Sequence, residues 1–126
     1  MAYWGGLAAV WAPALTRRDL FRSLCQRHTY AITRARIILK MTVNGALMGS
    51  EIEAAKAAQI KIDVWTPSRL DKIELIKNTR LLREFPASDD EFHLEFEDVT
   101  TGPAFYHCRV TQADGNLAVC SPVWIG

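Results

Sequence analysis

What these 126 residues lack first is a metal-ligand pattern. The three histidines, His28, His93 and His107, fall at no spacing that sets two of them as ligands on one local element, and no His-x-His occurs. No metal centre and no cofactor are therefore expected of this chain alone. No apolar run reaches the roughly 20 residues that a spanning helix needs, so no membrane segment is expected. A formal charge of +1 gives no pull toward nucleic acid or an anionic membrane. Three cysteines, Cys25, Cys108 and Cys120, are an odd count, which argues against a disulfide framework. In a reducing compartment they would be free thiols acting as small buried hydrophobes. The apolar N-terminus, Met1 to Ala14, has no basic n-region, and Trp, Pro and paired Gly interrupt it. Without an export signal the expected compartment is the cytoplasm, with the periplasm as the alternative.

What is present suits one globular domain with an appendage. Hydrophobic residues make up 49% of the chain. Residues 1–36 combine an apolar loop with a helix, and residues 37–126 read as strand after strand. Thr16 is a good N-cap and Asp19 follows three residues on, so a helix is expected from Arg17 to Gln26. Leu15, Leu20, Phe21, Leu24 and Cys25 form its apolar stripe, with Arg17, Arg18 and Arg22 on the wet face.

Ile37 to Val43 is a β-rich run that stops at Asn44-Gly45, a tight-turn dipeptide. Ile60, Ile62 and Val64 alternate with Lys61 and Asp63. Lys72 to Lys77 is a further strand, and Asn78-Thr79 turns it into Leu81 to Phe85. Phe92, Leu94 and Phe96 alternate with Glu91, His93, Glu95 and Glu97. A last hairpin turns at Asp114-Gly115. With a two-residue turn, Val110 faces Val119, Cys108 faces Ser121 and Tyr106 faces Val123. That register buries Tyr106, Cys108, Val110, Val119 and Val123 and turns Cys120 outward, which forbids a Cys108–Cys120 bridge; a bulge at the turn would shift it by one. Short strands with turn signals about every ten residues predict an immunoglobulin- or fibronectin-III-like β-sandwich carrying one N-terminal helix. Tyr106, two residues before an inward position, suits the tyrosine that ties down a corner in such sandwiches.

Two stretches carry a family resemblance. The first contains Gly6-Leu7-Ala8-Ala9-Val10-Trp11-Ala12, Leu15 to Phe21 and Arg27-His28-Thr29-Tyr30-Ala31; the second is Tyr106 to Ile125. Both resemble the C-terminal end of a bacterial family described as a domain of unknown function. That family is similar to PHP-type (polymerase-and-histidinol-phosphatase-like, carbaryl-hydrolase-like) metallohydrolases. The resemblance implies that residues 1–36 are the closing end of a metal-binding barrel whose body lies upstream, and that residues 37–126 are the β-sandwich that follows it. The family's ligands lie in that barrel, so no catalytic residue carries over. Arg36-Ile37 matches the family, but the glycine expected shortly before it is missing from Thr33-Arg34-Ala35.

The remaining constellations favour plain readings. His93 shares a strand face with Glu91, Glu95 and Glu97, which reads as a solvated face. Cys25 and His28 lie three residues apart, but no third group orients an imidazole base. The arginines of the first third are offset by the acidic run Asp89 to Asp98. Trp4, Leu7, Val10, Trp11, Trp65, Phe105 and Trp124 are the candidate interface residues, with Phe105 and Trp124 opposed in the hairpin. Docking of Trp65 and Trp124 against the N-terminal segment is expected. The apolar N-terminus predicts a homodimer, with exchange of N-terminal arms as one route. The expected function is that of a non-catalytic accessory or interaction module. One alternative is a subunit of a metal-dependent hydrolase completed by a separate barrel-bearing chain. Another is carbohydrate or small-ligand binding through exposed aromatics.

Overall fold

A computed structural model describes residues 6–126; Trp4, one of the candidate interface residues, lies outside them. The chain is mainly β, with two sheets and one helix. Leu7–Val10 is a strand, β1, where the sequence suggests a loop. Helix α1 follows over Arg17–Cys25, with Thr16 in extended conformation accepting from the Asp19 N–H. Strand β2, Thr29–Ile32, pairs antiparallel with β1. Strands β3 (Ile38–Val43), β4 (Ala46–Leu47), β5 (Glu51–Ile52) and β6 (Ala57–Trp65) come next. They are followed by β7 (Leu70–Lys77), β8 (Arg80–Pro86) and β9 (Glu91–Val99). The chain ends in β10 (Ala104–Gln112), β11 (Leu117–Cys120) and β12 (Val123–Ile125).

The smaller sheet runs β4-β3-β6-β9, all antiparallel. In the larger sheet β10 is central. It pairs with β7 on one side, and β7 continues to β8; on the other side it pairs with β11 and then β12. Strand β2 joins β11, so the first 36 residues extend the larger sheet by two strands, and β5 adds to β12 in parallel. Strands β3, β6 and β9 facing β8, β7, β10 and β11–β12 give the three-against-four connectivity of a fibronectin-III-like sandwich.

Period-two alternation builds the core. Leu39, Met41 and Val43 of β3 and Ile60, Ile62 and Val64 of β6 point inward. They meet Ile73 and Leu75 of β7 and Tyr106, Cys108 and Val110 of β10. At one edge Phe85 of β8 meets Phe92 and Phe96 of β9, with centroids 6.4 and 6.0 Å apart. The Ala and Glu residues before β6 form no helix; Glu51–Ile52 is a strand instead, because its edge is taken up by β12.

The last hairpin differs from the simplest register, for a physical reason. Gly115, at φ 93°, donates to the Gln112 carbonyl, and the Gln112 N–H donates to Asn116. The loop is therefore the three residues Ala113-Asp114-Gly115, with the glycine in the left-handed region. This slides the pairing by one, so that Val110 faces Ala118 and Arg109 faces Val119. Farther along, Tyr106 does face Val123 and Phe105 does face Trp124. The extra residue is absorbed at Ser121-Pro122, between β11 and β12, where proline has no N–H to give a ladder. Ala118 and Cys120 are consequently buried, whereas Val119 is only half-buried. The expectation that Cys120 points away from Cys108 is thereby corrected.

Tyr106 does tie a corner. Its hydroxyl donates to Asp98 Oδ2 at 2.7 Å, and Lys77 Nζ reaches the same oxygen at 2.8 Å. The carboxylate lies near the end of β9, so the bond fastens the smaller sheet to β10 and β7 of the larger one. Tyr106→Phe removes a charge-assisted bond of a fully buried side chain. It should lower unfolding free energy by about 1–2 kcal/mol, read as a reduced urea midpoint at unchanged m-value.

Candidate functional site

Helix α1 is where the structure departs most from the sequence pattern. Most of its apolar stripe faces out, with Leu20 half-buried. Leu15 is 91% exposed, Phe21 68% and Leu24 51%, and Cys25 is also exposed. The helix residue that packs inward is Ser23, at 3% exposure. The expectation that Cys25 is a small buried hydrophobe is thereby corrected. Strand β1 contacts the helix, and Leu7 on it is half exposed.

The orientation is fixed by the helix end. Gln26 caps it, and Arg27 turns the chain at φ 62°. The Arg27 Nε–H then donates to the Gly49 carbonyl at 3.0 Å, and the His28 Nδ1–H to the Met48 carbonyl at 2.8 Å. Gly49 sits so close that a Cβ there would lie 2.0 Å from the Arg27 carbonyl oxygen. His28 is thus a structural donor, not a base paired with Cys25. Between the helix and the sandwich lies an open cavity of about 350 Å³, walled by Trp11, Arg22, His28 and Lys40 among others. Trp11 is anchored there: its indole N–H donates to the Leu39 carbonyl at 2.7 Å, and the Lys40 ammonium lies 5.5 Å above its ring.

The candidate interface residues do not gather into one surface. Val10 is half-buried in the β1–β2 ladder, opposite Thr29. Trp124 lies beside Phe105 on the outer face of the larger sheet, with the Arg27 guanidinium 5.4 Å above its ring. Arg27 directly follows the helix cap, so this is a contact from the N-terminal segment. Trp65 lies on the outer face of the smaller sheet and meets His93 edge-on at 5.3 Å. The two tryptophans therefore stand on opposite sides of the sandwich.

His93 is more organised than a solvated strand face. Its Nδ1 lies 2.6 Å from Asp63 and its Nε2 2.6 Å from Glu91. Two carboxylates accept from one ring only if both nitrogens carry protons, so the geometry describes an imidazolium. The Asp63 and Glu91 hydrogen bonds raise the His93 pKa above its usual value, and His93 in turn lowers that of Glu91. On the larger sheet, Arg109 makes a two-pronged bond to Glu74 at 2.9 and 3.0 Å. His107 is half-buried on that same outer face, where burial and Arg109 lower its pKa. Among the described residues no group of three or more His, Cys, Asp and Glu is placed to hold a metal ion.

Comparison with known proteins decides the lineage. Residues 1–77 match the family described as protein of unknown function (DUF3604). The chain belongs to that family. An uncharacterized protein of Chlamydia muridarum (strain MoPn / Nigg) is 34% identical over 142 aligned residues, covering 98% of this chain and 23% of the relative. Uncharacterized proteins of Chlamydia trachomatis serovar D and Chlamydia pneumoniae match over the same shares at 33% and 31% identity. The DUF3604 chain thus spans about a quarter of the length of the curated relatives it matches. No solved structure matches it.

The sequence signalled Thr16, Tyr106 and the strand faces, but not the His93 clamp, because Asp63 is brought to His93 by the β6–β9 register rather than by spacing. The clamp has a definite pH sign. The folded-state pKa of His93 is raised, so its contribution to stability is fully present below the unfolded value of about 6.5 and is lost as pH rises through the folded value. Proton NMR titration of the His93 ring should give a pKa above that of a model peptide, and Asp63→Asn should bring it down.

Proposed function

We propose that this DUF3604 chain is a non-catalytic docking module whose α1 face seats the remainder of the family's longer chain. The observation that carries the reading is the outward apolar stripe, Leu15, Phe21 and Leu24, beside half-exposed Leu7. Each large apolar side chain left in water forgoes about 1.5–3 kcal/mol of burial free energy. Single exposed hydrophobes are ordinary, but a helix whose apolar side faces solvent while a serine faces the sandwich is a contact face awaiting cover. The occupant is argued from length: the relatives carry about three quarters of their sequence outside the matched region. The resemblance to the tail of PHP-type metallohydrolases gives that remainder a chemical character, a metal-binding barrel abutting the start of this segment. In this reading the barrel holds the ligands and the reaction, and the sandwich contributes a surface. Self-association would bury the same stripe against a second copy.

The test is binding of this chain to the unmatched portion of the Chlamydia muridarum relative, expressed separately. The wild-type chain should bind it, and Phe21→Asp with Leu24→Asp should weaken binding by at least about tenfold, as expected when central apolar anchors are lost. The double variant should keep its unfolding free energy within about 0.5 kcal/mol, since both side chains are exposed. Equal binding by the two chains would sink the proposal. Sedimentation of the isolated chain reads the competing occupant: a dimer that the double variant dissociates would assign the face to a second copy.

A further inference from the structure

Two sulfur atoms meet in the core where the simplest hairpin register would have separated them. Cys108 of β10 and Cys120 of β11 have their Sγ atoms 3.4 Å apart. Both are buried, at 0% and 3% exposure. They are cross-strand neighbours one step beyond the Val110–Ala118 and Arg109–Val119 pairs. The Cys108 N–H donates to Cys120 Sγ at 3.2 Å. Directly opposed antiparallel residues have Cα atoms about 4.5–5.5 Å apart, inside the range a disulfide spans. Forming the bond brings the two sulfurs from 3.4 Å to about 2.05 Å. Cys25, exposed on α1, sits outside this arrangement.

We propose that Cys108 and Cys120 are a disulfide-forming pair that bolts β11 to β10 when a small-molecule disulfide such as oxidised glutathione meets the chain. One cysteine, as thiolate, attacks the glutathione disulfide, forms a mixed disulfide and releases one glutathione thiol. The second cysteine thiolate then attacks the protein sulfur of that mixed disulfide and expels the second glutathione. The protein loses two hydrogens and two electrons, and the oxidant becomes two thiols. The hydrogen bond to the adjacent Cys120 sulfur, and then burial, hold Cys108 in the thiol form, its pKa well above the ordinary value. Exchange therefore runs through opening of β11, a four-residue strand bounded by the hairpin loop and the Ser121-Pro122 break. Closure would fasten the strand that carries β2, and with it the base of α1.

The test is to unfold the wild-type chain in urea and refold it with a mixture of oxidised and reduced glutathione. A parallel sample is refolded with dithiothreitol. Trypsin cleavage after Arg109 separates the two cysteines into peptides 84–109 and 110–126. The expected result is a protein two hydrogens lighter, those two peptides joined, Cys25 open to alkylation, and a higher urea midpoint than the reduced sample. Three alkylatable thiols under oxidising refolding would overturn the assignment, as would a bridge involving Cys25 in comparable yield or a lower urea midpoint for the oxidised protein.

Discussion

The fold turns on the break at Ser121-Pro122. Strands β11 and β12 run beside the same central strand, and both must point apolar residues inward. The three-residue hairpin loop sets one register for β11, while Tyr106 opposite Val123 sets another for β12. One unpaired residue between them satisfies both, and proline there removes the N–H that would otherwise need a partner. The groups freed by the break tie in the N-terminal segment. The Ser121 N–H donates to Thr29, the Ser121 and Thr29 hydroxyls meet at 2.9 Å, and the Pro122 carbonyl accepts from Gly49. Gly49 in turn packs on Arg27 at the end of α1. A local irregularity in the last hairpin thus fixes the orientation of a helix about a hundred residues earlier.

Much of the architecture was legible because it rests on local rules. Alternation marked β6 and β9, Asn44-Gly45 and Asn78 marked turns that take positive φ, and Thr16 marked the helix start. Tyr106 was legible as a corner residue, though its partner is the Asp98 carboxylate rather than the backbone. The register of the last hairpin was not legible. Asp-Gly serves both two- and three-residue loops, and the choice is made by which side chains the opposing sheet can bury. Neither could the pairing of β1 with β2 and of β2 with β11 be read, since a short apolar run has no periodicity that separates strand from loop.

The helix shows a different limit. Its 3.6-residue period correctly identified the side that seeks burial and said nothing about what buries it. In a chain that spans about a quarter of its relatives, the sandwich need not be the partner of that side. Ser23 facing inward follows from the tether at Arg27 and His28, which sets the helix rotation independently of its hydrophobic stripe.

The distribution of unsatisfied surface narrows where a partner can sit. The polar groups on the sandwich's two outer faces largely answer one another: His93 lies between Asp63 and Glu91, and Arg109 grips Glu74. A partner docking there would have to displace or bury paired charges, and buried charge pairs return little of their desolvation cost. Of the large exposed apolar residues among the described ones, Ile38 and Trp65 are direct neighbours on the smaller sheet, and Leu81 and Val99 lie on other strands. Leu7, Leu15, Phe21 and Leu24 all fall within the first 25 residues, on β1, α1 and the link between them. Burial there gains apolar free energy without breaking ion pairs, so the N-terminal face is where association costs least.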